Sequence, residues 1–279
     1  MAEQVGHDRG MATGILSALA LGINTLVLSL LLAPFAIAKA LLPFDAVRAH
    51  CDAALNAIAR RWMANNNLWL AWAGNARWDV AGLEGLQRRG WYVIVANHQA
   101  WTDVLVLQRT LGMRTPLIKF FLKRELIWVP VIGLAWWALD FPFLRRKGGR
   151  EDLERVRTAC ARFRSAPTAL LSFAEGTRYS EGKAQDQKSP YQHLLKPRAG
   201  GIATALATLG DKLDGVLDVT IVYPRGVPRF WDLLDGRVRE VIVRVRKLPP
   251  PQGAVQAWIN ELWLEKDRTI AALAPQRTA

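Results

Sequence analysis

Apolar and polar positions divide the chain into a long uncharged opening, an alternation of strand and helix patterns, and an amphipathic tail. Met11 to Ala38 is 28 residues without a formal charge, more than the roughly 20 needed to cross a bilayer as a helix. It is too long for a signal-peptide core of about 7–15 residues, although Ala36-Ile37-Ala38 resembles a cleavage site. The pattern predicts a retained anchor. Pro34 is expected to end or kink it, and Gly22-Ile23-Asn24 offers a second reading, a break into a re-entrant or interfacial hairpin. Phe44 to Ala73 places Leu55, Ile58, Trp62, Trp69 and Trp72 at helical spacing. That fits either a helix packed on a domain or one lying in the headgroup plane.

Arg77 to Val80 reads as a short strand. Trp91 to Ala96 is an apolar run typical of a strand covered on both faces. A helix is expected from near Gln99 to about Gly112. Lys119 to Leu139 is apolar but interrupted by Pro130 and Gly133, and its uncharged part is too short to span a membrane, so a core helix is expected. Asp140 to Arg146 reads as a strand ending in two arginines, and Glu151 to Ser165 as a helix with a basic solvated face. Thr168 to Ala174 is a second buried strand, running into Glu175-Gly176-Thr177-Arg178. Residues 179–190 read as a surface loop or lid.

Lys196-Pro-Arg198-Ala-Gly-Gly201 precedes a small-residue helix, Ile202 to Leu209, a setting that suits either a phosphate or close helix packing. Asp218 to Tyr223 is a strand stopped by Pro224, and Arg239 to Arg246 alternates as an edge or half-exposed strand does. A last amphipathic helix is expected from Ala254 to about Leu273. The order predicts an α/β domain with a mixed, mostly buried sheet flanked by helices, behind an N-terminal hydrophobic anchor helix. The expected divisions are 1–43 (anchor), 44–76 (amphipathic or interfacial helix), 77–248 (α/β domain) and 249–279 (C-terminal helix).

Composition narrows the partners. The chain is 51% hydrophobic, holds twelve tryptophans and carries a net charge of +13. Such a chain suits an anionic membrane surface, where cations meet phosphates and tryptophan sits at the headgroup boundary. Nucleic acid is not expected, because no zinc-finger, helix-turn-helix or RNP-type motif is present. Lys39, Arg48, Arg60 and Arg61 follow the uncharged segment, so a membrane protein with its catalytic domain facing the cytoplasm is expected, at the inner or plasma membrane if the source is bacterial. Cys51 and Cys160 fall in apolar helical patterns and are expected to be buried and reduced. No metal site is expected.

Three strand ends carry polar groups in this apolar chain: His98 with Asp103, Arg145-Arg146, and Glu175 to Arg178. His98 and Asp103 are five apart, about 140° around a regular helix. They meet only if His98 sits in the turn and Asp103 in the first turn of the helix. Each group alone has a bland reading, His98 as a helix cap and Asp103 as a surface charge. Together they offer a base with an orienting carboxylate, and cations suited to phosphate. No Gly-x-Ser-x-Gly elbow, phosphate-binding Walker loop or dinucleotide fingerprint is present.

These segments resemble the glycerolipid acyltransferases of the 1-acylglycerol-3-phosphate acyltransferase (PlsC-like) family over about Arg77 to Pro224. Asn97-His98-Gln-Ala-Trp-Thr-Asp103 is similar to the family's N-H-x4-D motif, and Lys123-Arg-Glu-Leu126 with Pro130 and Gly133 to its K-x-E-L segment. Phe143-Leu-Arg-Arg146 resembles F-x-x-R, and Glu175-Gly176-Thr177-Arg178 is a complete E-G-T-R. Arg145 departs from the acidic residue common at its position, and the insert between Arg178 and Lys196 is long. Both resemble the lysocardiolipin-type branch.

The resemblance implies transfer of a fatty acyl group from an acyl thioester, acyl-CoA or acyl-carrier protein, to a lysophospholipid. Lysophosphatidate is the default acceptor, and lysophosphatidylglycerol or lysocardiolipin the alternative. It implies His98 as general base, Asp103 as its orienting partner, and Lys123, Arg146, Glu175, Gly176, Thr177 and Arg178 at the acceptor. It implies no cofactor beyond the thioester co-substrate. The apolar 119–139 stretch has a further reading, as a greasy wall that holds an acyl chain, dipped toward the bilayer. A non-catalytic lipid-binding protein on the same fold is the reading from another class.

Overall fold

A computed structural model describes residues 2–42, 44–74, 76–145 and 149–274, with side chains from residue 10 onward. Helix α1 (Ala2–Leu41) turns back into α2 (Asp45–Ala73). α1 buries Leu28, Leu32 and Ala36, four apart on one face, and exposes Leu19, Leu26, Leu30 and Ile37. It runs unbroken through both Gly22-Ile23-Asn24 and Pro34, so neither the expected break nor the expected end occurs. The Asn24 side chain crosses to the partner helix instead. Its amide donates to Asn66 Oδ1 (2.8 Å) and accepts from Asn65 Nδ2 (2.8 Å). α2 buries Cys51, Leu55, Ala59, Met63, Asn66 and Leu70 at three- and four-residue steps. It is a packed helix, tied to the end of α1 by Lys39 and Asp52 at 2.7 Å.

Next come β1 (Arg77–Ala81), β2 (Tyr92–Ala96), α3 (Asp103–Thr110), β3 (Ile118–Phe120) and β4 (Leu122–Lys123). A 3-10 turn at Arg124–Trp128 leads to α4 (Ile132–Ala138), β5 (Phe143–Leu144), α5 (Arg150–Phe163) and β6 (Ala169–Phe173). Then follow α6 (Glu181–Asp186), α7 (Gly200–Leu209), β7 (Gly215–Val222), α8 (Phe230–Leu234), β8 (Glu240–Leu248) and α9 (Val255–Leu273).

The main sheet has the order β1-β8-β7-β2-β6-β3. β7, β2, β6 and β3 are parallel, β8 is antiparallel to β7, and β1 is parallel to β8. β2 and β7 are buried along their whole length, as strands covered on both faces must be. One face packs against α5, α7 and α9, and the other against α2, α3 and α8. A third apolar cluster joins α1, α2 and α4 beside the short β4–β5 pair.

The structure refines three expectations. Of the two readings of Arg239 to Arg246 the half-exposed strand holds and the edge does not, because β1 caps β8 on its far side. Its charges survive inside the sheet by pairing: Arg244 with Asp79 and Arg246 with Asp218, each at 2.7 Å. Lys119 to Leu139 is not one helix but β3, β4, a 3-10 turn and α4. Pro130 lacks an amide hydrogen, and a Cβ at Gly133 would lie 2.2 Å from the Ile127 carbonyl oxygen, so the chain must reverse there. The 179–190 segment lies at the surface as expected but contains α6, and it is fastened to the core, with Tyr179 N donating to His98 O at 2.8 Å.

Candidate active site

The parallel strands carry their chemistry at one end. β2, β6 and β7 deliver His98, Glu175 and Tyr223 within two residues of their C-terminal ends, where open α/β sheets place their ligands. Asn97 makes the exit from β2 possible. Its side chain replaces the ladder, donating to Ile221 O and accepting from Ile221 N, both at 2.9 Å. The backbone beyond is free to turn, and His98 comes off the sheet.

His98 Nδ1 lies 2.8 Å from Asp103 Oδ2, with Asp103 as the first residue of α3. The same Oδ2 accepts from Gln99 N (2.6 Å) and Ala100 N (2.9 Å). Oδ1 accepts from the Tyr223 hydroxyl at 2.6 Å. Asp103 is fully buried, so acceptor-only contacts of this number suit a carboxylate without its proton. Burial and the charge of Asp103 raise the Tyr223 pKa well above its ordinary value, so the phenol stays a donor. With its hydrogen given to Asp103, Tyr223 Oη accepts from Thr102 Oγ1 at 3.0 Å. The His98 ring stacks on Phe173, centroids 4.0 Å apart. Nδ1 is therefore fixed, the ring is held on one face, and Nε2 carries no bond among the described residues.

Glu175 was expected at the acceptor, and the structure puts it beneath the site. It is buried, with Oε1 accepting from His98 N and Oε2 from Leu195 N, both at 2.8 Å. Burial pushes its pKa up to about 8, against the pull of those two amides. It staples the His98 turn to the segment before α7. Gly176 turns the chain at φ +70, and a Cβ there would meet the Arg198 side chain at 3.7 Å. Thr177 Oγ1 accepts from Lys183 Nζ at 2.9 Å. The exposed Arg178 guanidinium lies 4.8 Å over the Trp101 ring. Arg178 and Arg198 thus border one turn. Lys123 is exposed on β4, opposite Leu144 of β5. Arg145 Nη1 is bonded to Glu151 at 3.1 Å. Arg146 lies outside the described residues.

An apolar cavity of about 150 Å³ lies between α1, α2, α3 and α4. Val104 and Leu105 line it directly after Asp103, and Leu32, Met63, Phe120 and Trp136 close it further out. No cluster of three metal-ligating side chains occurs among the described residues. The arrangement supplies a base with one free nitrogen, exposed cations beside it, and an apolar recess behind it. Sequence reasoning missed Tyr223, Phe173 and Trp101, and gave Asn97 only as a motif position without a role. Tyr223 had a signal, since it stands before Pro224 at a strand end, as His98 and Glu175 stand at theirs. The ring under His98 had none.

The family described as Acyltransferase matches residues 77–224. Lysocardiolipin acyltransferase 1 of Danio rerio is 31% identical over 199 residues, covering 64% of this chain and 51% of that protein. The 1-acyl-sn-glycerol-3-phosphate acyltransferase gamma of Mus musculus is 31% identical over 195 residues, 63% of this chain and 51% of its own length. The chain spans about half the length of the curated relatives it matches. Among solved structures, the 1-acyl-sn-glycerophosphate acyltransferase PlsC from Thermotoga maritima superposes with a TM-score of 0.63 at 17% identity, over 96% of this chain and 97% of that one. That likeness is one of fold.

Proposed function

The chain belongs to the acyltransferase family, and on that premise we propose that it transfers a fatty acyl group from an acyl thioester to the free hydroxyl of a lysophospholipid. The default acceptor is 1-acylglycerol-3-phosphate, giving phosphatidate, with acyl-CoA or acyl-carrier protein as donor. The observation that carries this reading is the His98–Asp103 pair, with Nε2 free, next to an apolar cavity that begins at Val104. A thioester is already activated, so no covalent enzyme intermediate is needed. Nε2 takes the hydroxyl proton as the oxygen attacks the thioester carbonyl carbon. The C–S bond breaks as the tetrahedral adduct collapses, and the imidazolium returns the proton to the leaving thiolate. Base assistance of this kind contributes roughly 10²–10⁴-fold. Asp103 fixes the tautomer and stabilises the imidazolium, and Tyr223 holds Asp103. Arg178, with Lys123 and Arg146, meets the acceptor's phosphate, and the cavity takes an acyl chain.

Membrane association is part of the proposal. Gly10–Leu41 is long and apolar enough to cross a bilayer, yet one face of α1 is covered by α2, which carries Asp52, Arg60 and Arg61. The outer, leucine-rich face is the one suited to lipid, and the catalytic domain faces the cytoplasm. A second acceptor has a specific motive. Arg145 stands where the family more often has an acid, and the lysocardiolipin and lysophosphatidate relatives are equally similar. A lysocardiolipin or lysophosphatidylglycerol acceptor is therefore the alternative. A non-catalytic lipid binder would not need the buried apparatus that orients His98.

The test uses purified wild type and His98→Ala in detergent, each given labelled acyl-CoA or acyl-carrier protein with lysophosphatidate, lysophosphatidylglycerol and monolysocardiolipin. The expected result is transfer by wild type that falls by roughly 10²-fold or more in a folded His98→Ala. Equal transfer by both proteins would remove His98 from the mechanism. No transfer by wild type from either donor would favour the lipid-binding reading.

A further inference from the structure

From Leu126 to Leu139 the chain has no charged residue. Inside a protein such a run would be buried throughout, and here much of it is not. Trp128 is 85% exposed, and Val129, Val131, Leu134 and Trp137 are exposed with it. α4 is apolar on every side. Its inner face, Ile132, Ala135 and Trp136, lines the cavity described above. On its outer face Leu134 and Trp137 are each 43% exposed. A helix apolar all round belongs in a core or in lipid, and a contiguous exposed patch of this kind marks an interaction surface. The chain also presents the patch at a conformational cost. Val131 sits at φ +69, a region that β-branched residues avoid, at the tip between Pro130 and α4.

Two observations choose the occupant. The first is continuity with α1. Lys39 Nζ, near the end of α1, donates to Ala138 O at 3.0 Å and pairs with Asp140 at 2.5 Å, so α4 is moored beside the last turns of α1. The side chains on the face of α1 opposite Lys39, Leu30, Ile37 and Leu41, are exposed, so the helix that moors α4 is itself bare and apolar on its outer side. The second is charge. Exposed Lys123, Arg124 and Arg145 stand at the base of the patch, with Glu125 among them. Cations at the foot of an apolar tip, with tryptophans between, match the order of phosphate, headgroup boundary and acyl chains in a leaflet.

We propose that the segment from Trp128 to Trp137 is a second membrane-inserted element, sunk into the leaflet beside α1, so that α4 is the thin wall between bilayer and cavity. The inference depends on the membrane association proposed above and not on the reaction. The test places a nitroxide on Val129→Cys and Leu134→Cys, with Glu181→Cys on exposed α6 as the aqueous reference. Cys51 and Cys160 are buried, and labelling of unmodified wild type sets the background. The full chain is reconstituted into vesicles of phosphatidylcholine and phosphatidylglycerol. Collisional relaxation is then read with oxygen, which concentrates in lipid, and with a water-soluble nickel chelate. The expected result is oxygen-dominated relaxation at 129 and 134 and nickel-dominated relaxation at 181. Nickel access at 129 and 134 equal to that at 181 would overturn the proposal. So would shielding from both reagents with spin–spin broadening, which would assign the patch to a second copy of the chain.

Discussion

Asp103 accepts four hydrogen bonds without solvent, and three of the donors come from residues 98–100. The fourth, Tyr223, arrives from a strand 120 residues away in sequence. That division explains what was legible. The spacing of His98 and Asp103 is local, so the requirement for a turn followed by a first helical turn follows from helix geometry alone. The phenol is a tertiary contact, and nothing in its own neighbourhood assigns it a partner. Tyr223→Phe keeps the ring and removes the donor. A hydrogen bond to a charged group is worth about 1.5–3 kcal/mol, so kcat is expected to fall about tenfold with little change in KM, measured by steady-state transfer assays. Glu175 teaches the opposite lesson. The motif it belongs to implied a place at the acceptor, whereas the fold gives both its oxygens to backbone amides.

At the scale of elements, α9 shows how a pattern can mislead. Its amphipathic stripe is correct in Ile259, Leu262, Trp263 and Ile270, but Lys266 lies on the buried face too. Its ammonium donates to Asp218 Oδ1 (2.6 Å), Val219 O (2.7 Å) and Thr220 Oγ1 (3.1 Å). Burial pulls its pKa below the ordinary value, opposed by Asp218. The lysine pins α9 to β7, the strand that leads into Tyr223. Lys266→Met leaves a buried carboxylate and a carbonyl short of a donor, with Arg246 still on Asp218. Loss of about 3 kcal/mol is expected, within the range for breaking a buried pair, read as a lower midpoint in denaturant unfolding. α4 was ambiguous in another way. Its apolar sequence suited both a core helix and a wall against the bilayer, because lipid and protein interior select the same side chains. Only the absence of covering elements separates the two.

For the whole molecule, the raised pKa of Glu175 makes stability depend on pH. Its ordinary value is 4.5 and its folded value is about 8, so the folded state holds a proton that the unfolded chain releases. This contribution is complete below pH 4.5, declines as pH rises toward 8, and is lost above it, by on the order of 1 kcal/mol per pH unit at its steepest. Glu175→Gln cannot titrate. Its thermal midpoint is expected to be lower at pH 5, because the amide nitrogen cannot accept from Leu195 N, and to fall less between pH 5 and 8 than that of wild type. Parallel slopes in the two proteins would place the titrating group elsewhere.

The α/β class, the buried strands and the three polar strand ends were set by the sequence itself, because periodicity and turn residues act over a few positions. The position of β8 inside the sheet, the burial of Glu175 and Lys266, and the exposure of α4 were decided by the tertiary structure alone. Each depends on which element covers another, and coverage is a property of the assembled layers.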